Sequence, residues 1–405
     1  MLSILTRLNS QPEQNSLFGE ATALANPFQI KDGRVSGEFW TAKQRQATSI
    51  HEVAYRACFK AQLPNFFISN LTEKGDIVYD PFSGRGTTVI EAALLGRNAI
   101  ANDISPISKI LSEGRLTIPN ISYIKRRLEE IELDTTEKSE IDLSMFYHPE
   151  TLGEIVSLKK YFIKRDADGT IDGVDKWIRM VATNRLTGHS AGYFSVYTLP
   201  PNQAVSPARQ ITINNKYKQS PTYRNTKEII YKKSKSLLGG LSLDQIKNVQ
   251  ETRVLFLTGN ARNTKVITDE SVSLTVTSPP FLDIVQYAQD NWLRCWFNGL
   301  DAKKVEAEIT MSKTVPIWSE VMDSVFKELY RVTKPTGWVA FEVGEVRSGK
   351  IKLEEAVIPL GERNGFNLNC VMINEQIFTK TANIWGVSNN TKGTNSNRIV
   401  VFQKK

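Results

Sequence analysis

The chain has few of the residues that build metal and disulfide sites. Among 405 residues there are three cysteines, Cys58, Cys295 and Cys370, and three histidines, His51, His148 and His189, all far apart. No CxxC pair occurs, which argues against a disulfide frame and against a structural zinc site. The stretch DADGTIDGVD, residues 166–175, alternates acids with glycine but lacks the spacing and closing Glu of a calcium loop, and reads as a turn. No apolar run is long enough to cross a bilayer, and MLSILTRLNSQPEQNS has no apolar core of signal-peptide length. No internal repeat or low-complexity tract is visible. These absences lead to the expectation of a soluble, cytoplasmic protein with no metal and no membrane partner.

What is present is a basic balance and a large apolar fraction. The formal charge is +8, and 40% of residues are hydrophobic, enough for one large or two ordinary domains. The charge is unevenly spread. From Lys176 to Lys247 there are twelve Lys/Arg against two acids, Glu228 and Asp244. That segment carries +10, so the rest of the chain sums to about −2. Trp177, Tyr193, Phe194, Tyr197, Tyr217, Tyr223 and Tyr231 lie in the same segment. One reading is a solvated basic face over core aromatics. The other, favoured by the concentration of charge, is a surface that tracks a phosphate backbone and stacks or wedges bases.

The organising stretch runs from Val78 to Pro106, VYDPFSGRGTTVIEAALLGRNAIANDISP. GDIVYDPF reads as a buried parallel strand, Ser83-Gly84-Arg85-Gly86 as a glycine turn, TTVIEAALLG as a helix, and NAIAND as a second strand ending in Asp103. Such glycines let the backbone approach a ligand at a helix N-terminus, and an acid at the next strand tip can grip ribose hydroxyls. The third glycine of the dinucleotide fingerprint is missing: Gly86 is followed by Thr87, Thr88 and Val89.

Upstream, FWTAKQRQATSIHEVAYRACFKAQLPNFFISNL, residues 39–71, suggests one or two helices with Phe66, Phe67 and Ile68 in the core. Downstream, SYIKRRLEEIEL reads as an amphipathic helix capped by Ser122, and VDKWIRMVATNRLTGHS as a helix stopped near Gly188. YFSVYTLPPNQAVSP is a strand-like run broken by Pro200 and Pro201, and Ile211 to Leu238 is basic and partly helical. The α/β pattern resumes with TRVLFLTGNAR and VSLTVTSPPF, both strands. A helix follows Pro316, WVAFEVG is a strand, LEEAVIPLGERNG is a helix ended by Gly365, and CVMINEQIF…NRIVVFQ alternates enough for a final antiparallel pair.

Thr277-Ser278-Pro279-Pro280-Phe281 is the second anchor. Ligands of open α/β sheets sit at the carboxyl ends of strands, so this loop and the glycine loop are expected on one edge. Alone it reads as a strand stopped by Pro-Pro. Beside DPFSGRGTT it resembles motif IV of the amino-directed DNA methyltransferases, and DPFSGRGTT resembles their motif I, which binds S-adenosylmethionine. TGNAR resembles their motif III, with Asn260 where an acid usually sits, and SIHEVAYRACFKAQLP resembles motif X, with Ser49, His51, Tyr55 and Arg56 as polar candidates. The resemblance covers residues 40–120 and 250–405. A Ser at position 278 follows the pattern of the cytosine-amine enzymes. Ring-carbon methylation, which needs a Pro-Cys nucleophile in its own family, is set aside because no proline precedes a cysteine.

The resemblance implies a Rossmann-like α/β methyltransferase fold with a mostly parallel seven-stranded sheet. Residues 1–35 are expected as a loose arm, 36–120 as the cofactor-binding part, 121–249 as an inserted basic target-recognition region, and 250–405 as the catalytic-loop part. It implies S-adenosylmethionine as cofactor, bound by Asp80, Pro81, Phe82, Gly84, Gly86, Thr87, Thr88, Asp103, Asn260, His51 and Tyr55. Ser278, Pro279, Pro280 and Phe281 would carry catalysis on a cytosine amine taken out of the helix. Double-stranded DNA is the expected partner, gripped by Arg185, His189, Lys216, Lys218, Arg224, Lys232 and Lys233. A cognate restriction endonuclease is a further expected partner, and a monomer or weak dimer the expected state. The rivals are adenine-amine or RNA methylation, an idle nucleic-acid-binding subunit, and a dinucleotide-dependent oxidoreductase.

Overall fold

The computed structural model describes residues 29–31, 34–37, 39, 47–56, 58–200, 204–280, 286–309, 312, 314–343, 345–346, 351–375 and 396–405. Phe281, expected in the catalytic loop, lies outside them. The apolar run before the glycine turn forms β3 (Ile77–Asp80), and NAIAND forms β4 (Asn98–Asp103). Two hairpin strands precede them, β1 (Gln29–Lys31) and β2 (Arg34–Gly37). After a long helical stretch come β5 (Val254–Thr258), β6 (Val272–Thr277) and β7 (Thr333–Val343). A small antiparallel pair, β8 (Glu345–Val346) and β9 (Ile351–Lys352), precedes β10 (Phe366–Glu375) and β11 (Ser396–Lys404).

Nine strands make one sheet in the order β1-β2-β10-β11-β7-β6-β3-β4-β5. The five strands from β7 to β5 are parallel, and β11 runs antiparallel between β7 and β10. This is the Rossmann-like methyltransferase sheet read from the sequence, with seven strands from β10 to β5. The difference is the β1–β2 hairpin. Of the residues expected in a loose arm, 29–31 and 34–35 lie in these two strands; β2 pairs with β10, parallel, through Arg34 to Gly37 and extends the sheet at that edge.

The period of two sorts the side chains. Val78, Ala99, Ala101, Leu274 and Val276 face a core with Phe67 and Ile68 of the Gln62–Leu71 helix. Their neighbours Tyr79, Ile100, Val339 and Phe341 face the opposite core, with Trp318, Val325 and Phe326 of the Val315–Val332 helix. Strands buried on both faces need helices on both, and these helices supply the cover.

Among the described residues between 121 and 251 the regular elements are helices: Ile121–Glu130, Pro149–Ala167, Gly173–Arg185, Pro207–Tyr217, Thr226–Leu238 and Leu243–Glu251. Asn120, not Ser122, caps the first of them. The turn at 166–175 ends in a capping box in which Asp172 and Asp175 serve each other's backbone. Pro201 lies outside the described residues, and YFSVYTLP, residues 193–200, is not a strand. It is a run of bends with one isolated bridge, Gly188 to Tyr197, because Arg224 holds its carbonyls in place of a neighbouring strand.

Candidate active site

The glycine turn owes its shape to two left-handed residues, Gly84 (φ 51) and Gly86 (φ 77). Gly86 caps the Thr87–Leu94 helix, and a Cβ there would collide with Ser112. The Gly84 amide N–H donates to Asp103 Oδ2 at 2.8 Å, and the Ser105 amide N–H to Oδ1 at 2.9 Å. The acid at the tip of β4 thus fixes the turn at the tip of β3. Burial pushes the Asp103 carboxyl upward, and these two amides oppose the shift.

Asp80 joins the two motifs. It is buried and accepts a hydrogen bond from Thr277 Oγ1 at 2.6 Å and one from the Phe82 amide at 3.1 Å. Thr88 Oγ1 donates to the Val276 carbonyl at 3.1 Å. The last residues of β6 are therefore tied to the glycine-turn region just before Ser278-Pro279-Pro280. Burial raises the Asp80 pKa to about 7 against the lowering effect of its hydrogen bonds.

One crevice opens at the carboxyl ends of these strands, where the strand order reverses between β3 and β6. Its near wall is Pro81, Phe82, Gly84 and Asp103. Ser278, Pro279 and Pro280 form the facing wall. Tyr55, Arg56 and Tyr287 close one side; Asn260 and Arg262 lie on another, with Val321, Met322 and Val325 as an apolar floor. Gly84 and Ser278, almost two hundred residues apart, line the same cavity.

Other expected residues sit elsewhere. Thr87 and Thr88 are buried in the helix start rather than in the cavity lining. His51 is buried away from the cavity, with Nε2 2.7 Å from Glu91 Oε2, and burial lowers its pKa. Asn260 lines the crevice, but its Oδ1 already accepts from the Arg262 amide and guanidinium at 3.0 and 3.1 Å. Ser49 Oγ donates to the Leu237 carbonyl at 2.8 Å.

The nucleic-acid candidates divide in the same way. Arg185 is buried, its guanidinium 4.0 Å from the centre of the Tyr193 ring. Arg224 donates to the carbonyls of Ser190, Tyr193 and Ser195, and Lys233 pairs with Glu52. His189 is half-buried beside the Tyr193 ring. Lys216, Lys218 and Lys232 are exposed, the last 3.1 Å from Glu228. Of the segment's aromatics, Trp177 and Phe194 are core, whereas Tyr217 and Tyr223 are 50% and 45% exposed.

Sequence reasoning missed Arg262 and Trp318. The Trp318 indole N–H donates to the Pro280 carbonyl at 3.0 Å from a helix that begins 35 residues later, so no local pattern announces it.

The structure thus joins a Rossmann-like α/β fold of methyltransferase topology to a glycine turn, a strand-tip acid and a Ser-Pro-Pro loop around one cavity. A family model described as DNA methylase, of the N6/N4 type, matches residues 7–111. The chain is 24% identical over 296 residues to the type II methyltransferase M.BsoBI of Geobacillus stearothermophilus, covering 64% of this chain and 54% of that protein. It is 24% identical over 309 residues to the type II methyltransferase M.MvaI of Kocuria varians, covering 69% and 62%. A shorter match, 32% over 88 residues, to M.MjaII of Methanocaldococcus jannaschii covers 22% of this chain and 17% of that one. The resemblance to the S-adenosylmethionine-dependent amino-directed DNA methyltransferases of the N4/N6 family holds on these grounds. The chain spans less than two thirds of the length of each of these relatives. Among the described residues no helix is long and apolar enough to cross a membrane.

Proposed function

We propose that this protein transfers a methyl group from S-adenosylmethionine to the exocyclic N4 amine of cytosine in double-stranded DNA, on a base turned out of the helix. The observation that carries the reading is the meeting of the Gly84 turn and the Ser278-Pro279-Pro280 loop across one crevice, with Asp103 beside them. The donor set fits the cofactor. Asp103 has lone pairs beyond those used by Gly84 and Ser105, and these suit a ribose diol. Pro81, Phe82 and the apolar floor suit an adenine ring, and Asn260 keeps its amide N–H groups for a ring acceptor. The cofactor supplies a methyl on a sulfonium, already a good leaving group.

The chain's own part is alignment. The amine of cytosine is a poor nucleophile because its lone pair is delocalised into the ring. Acceptors at Ser278 Oγ and the Pro279 carbonyl would hold both amino hydrogens and favour a pyramidal nitrogen. The two prolines remove backbone donors and stiffen the loop, so the acceptors are pre-positioned. Holding nitrogen, methyl and sulfur in line then lowers the barrier without a covalent enzyme intermediate: the N–C bond would form as the C–S bond breaks to leave a neutral thioether, and one amino hydrogen held by these acceptors would pass as a proton to solvent.

Transfer of labelled methyl to DNA followed by nucleoside analysis tests this: N4-methylcytosine is expected. N6-methyladenine would move the target to adenine, and label in RNA would move it off DNA. Cofactor binding with no transfer to any nucleic acid would leave an idle binding subunit. Ser278→Ala is expected to lower kcat by about 10²- to 10³-fold, the scale of losing one oriented polar group, with the cofactor Kd unchanged. Equal loss of both would count against the assigned role. A cognate endonuclease as partner is part of the same proposal, and co-purification with the wild-type chain tests it.

A further inference from the structure

The Pro207–Tyr217 helix is poorly covered for an element of a packed domain. Of its eleven residues only Gln210 and Ile213 are buried. It is held by amides more than by apolar packing. Gln210 Nε2 donates to the Tyr197 carbonyl at 3.0 Å and to Asn214 Oδ1 at 2.8 Å, Asn214 Nδ2 to the Met145 carbonyl at 2.8 Å, and Gln219 Nε2 to the Tyr197 carbonyl at 2.9 Å. Ser206 caps its start through the Arg209 amide, and Pro207 occupies the first turn. The helix is therefore fixed in place while most of its circumference faces solvent.

The exposed face has a particular chemistry. Arg209, Thr212 and Lys216 recur at three- and four-residue spacing, with Asn215 beside them. Ile211 is 47% exposed and Tyr217 50%. No acid lies between Ser206 and Arg224. A solvated face gains from mixed charge and from few exposed branched apolar residues, and this one has neither. Arg and Asn are the side chains that pair bidentately with guanine and adenine edges, and an apolar group beside them suits the thymine methyl. A helix is the element that fits the major groove.

Position agrees. Asn214 anchors the helix to Met145, the adjoining Phe146 ring packs 6.0 Å from Trp292, and Trp292 lies on the helix whose first residue, Tyr287, lines the crevice. We propose that the Pro207–Tyr217 helix enters the major groove of double-stranded DNA and reads base edges with Arg209, Thr212 and Asn215, while Lys216 and Lys218 hold phosphates. The inference rests on the DNA reading above and names the element that selects the site.

The test uses the full chain and Arg209→Ala, Asn215→Ala and Lys216→Ala. All three side chains are exposed, so thermal unfolding is expected to be unchanged. Methylation-sensitive sequencing of DNA exposed to the wild type defines the site. Anisotropy with a duplex carrying that site and with a scrambled duplex, at two salt concentrations, gives affinity and salt slope. Arg209→Ala and Asn215→Ala should each lose about 10- to 100-fold in kcat/KM at the site and relax its discrimination at one base pair. Lys216→Ala should weaken both duplexes alike and reduce the salt slope by about one. Unchanged site preference in the first two with an unchanged slope in the third overturns the proposal. So does protection of this helix by self-association that DNA does not displace. If the wild type transfers no methyl, the enzymatic reading fails separately, and the salt slopes on random duplex still decide the helix: an unaltered slope in Lys216→Ala rejects it.

Discussion

Pro280 has no amide proton to give, and its carbonyl is held by a residue outside the loop, Trp318, whose indole N–H lies 3.0 Å away. Trp318 is itself 2% exposed, so the donor is fixed by packing. Trp318→Phe keeps an aromatic ring but removes the donor. The expected result is a kcat lower by about tenfold, one net hydrogen bond, with little change in KM for DNA or in cofactor Kd. A loss of stability with kcat intact would make Trp318 mere packing. Asp80 gives a second residue-scale test. Its folded pKa of about 7 exceeds the usual carboxylate value, so the folded state binds the extra proton between about pH 4 and 7. Stability from this group is present at the acid end and lost as pH rises through 7. Asp80→Asn, uncharged at every pH, is expected to flatten that decline, read from urea unfolding at pH 5 and pH 8. An identical slope in both proteins would reject the raised pKa. The positions of Gly84, Asp103 and Ser278 at one crevice were legible because each lies inside a short string beside a strand end. The partners of His51 and Asn260, Glu91 and Arg262, were not, since they follow from packing and not from the motif.

Between residues and domains sits the segment that begins with the one-turn helix Ser49–His51; its described residues 52–56 and 58–59 have no regular structure, and Tyr55 and Arg56 line the crevice. Three guanidinium groups hold it by its carbonyls: Arg115 on Ile50, Arg85 on Val53 and Phe59, and Arg294 on Ala54. Arg56 closes it further through Asp290 at 3.1 Å. Arg294 and Asp290 belong to the Tyr287–Phe297 helix, which follows the Ser-Pro-Pro loop in sequence, so the chain after that loop fastens the chain before the glycine turn. Arg56 is partly exposed and contributes modestly to stability, about 1 kcal/mol or less. Its removal should act on the strap. Arg56→Ala is expected to raise the cofactor Kd about three- to tenfold, read by calorimetric titration with S-adenosylmethionine, while unfolding shifts little. An unchanged Kd would mean that the strap closes without it. Strands such as β3 and β6 were readable from apolar runs. Residues 39–71 were expected as one or two helices; this part of them differs because the residues that hold it come from three distant elements, and no periodicity encodes carbonyls captured by arginines.

The helical stretch from 121 to 251 reads in sequence as a separate inserted unit, because it interrupts the alternation of strand and helix. Its packing argues for a different mechanical role. Ile90 and Ala93 of the Thr87–Leu94 helix, Ile107 and Leu111 of the Pro106–Leu116 helix, and Trp177, Ile178 and Ile230 from the insert belong to one buried cluster. The same cluster takes in Leu293 and Phe297, after the Ser-Pro-Pro loop. Gly114 is where the two parts meet most closely: a Cβ there would lie 2.6 Å from the Lys176 carbonyl and 2.7 Å from Met180 Cβ. Removing the insert would strip cover from the very helix that carries the glycine turn, and each large side chain left open costs about 1.5–3 kcal/mol. Against a total stability of roughly 5–15 kcal/mol, that loss is decisive. The full chain should therefore unfold in a single transition reported alike by far-ultraviolet dichroism and by tryptophan fluorescence. A chain lacking residues 121–251 should fail to fold, and the isolated segment should bind the hydrophobic dye ANS instead of standing alone. Gly114→Leu offers a milder probe, expected to destabilise by about 1–3 kcal/mol through overpacking. Two resolved transitions, with the glycine-turn half melting independently of the insert, would show that the shared core does not couple them.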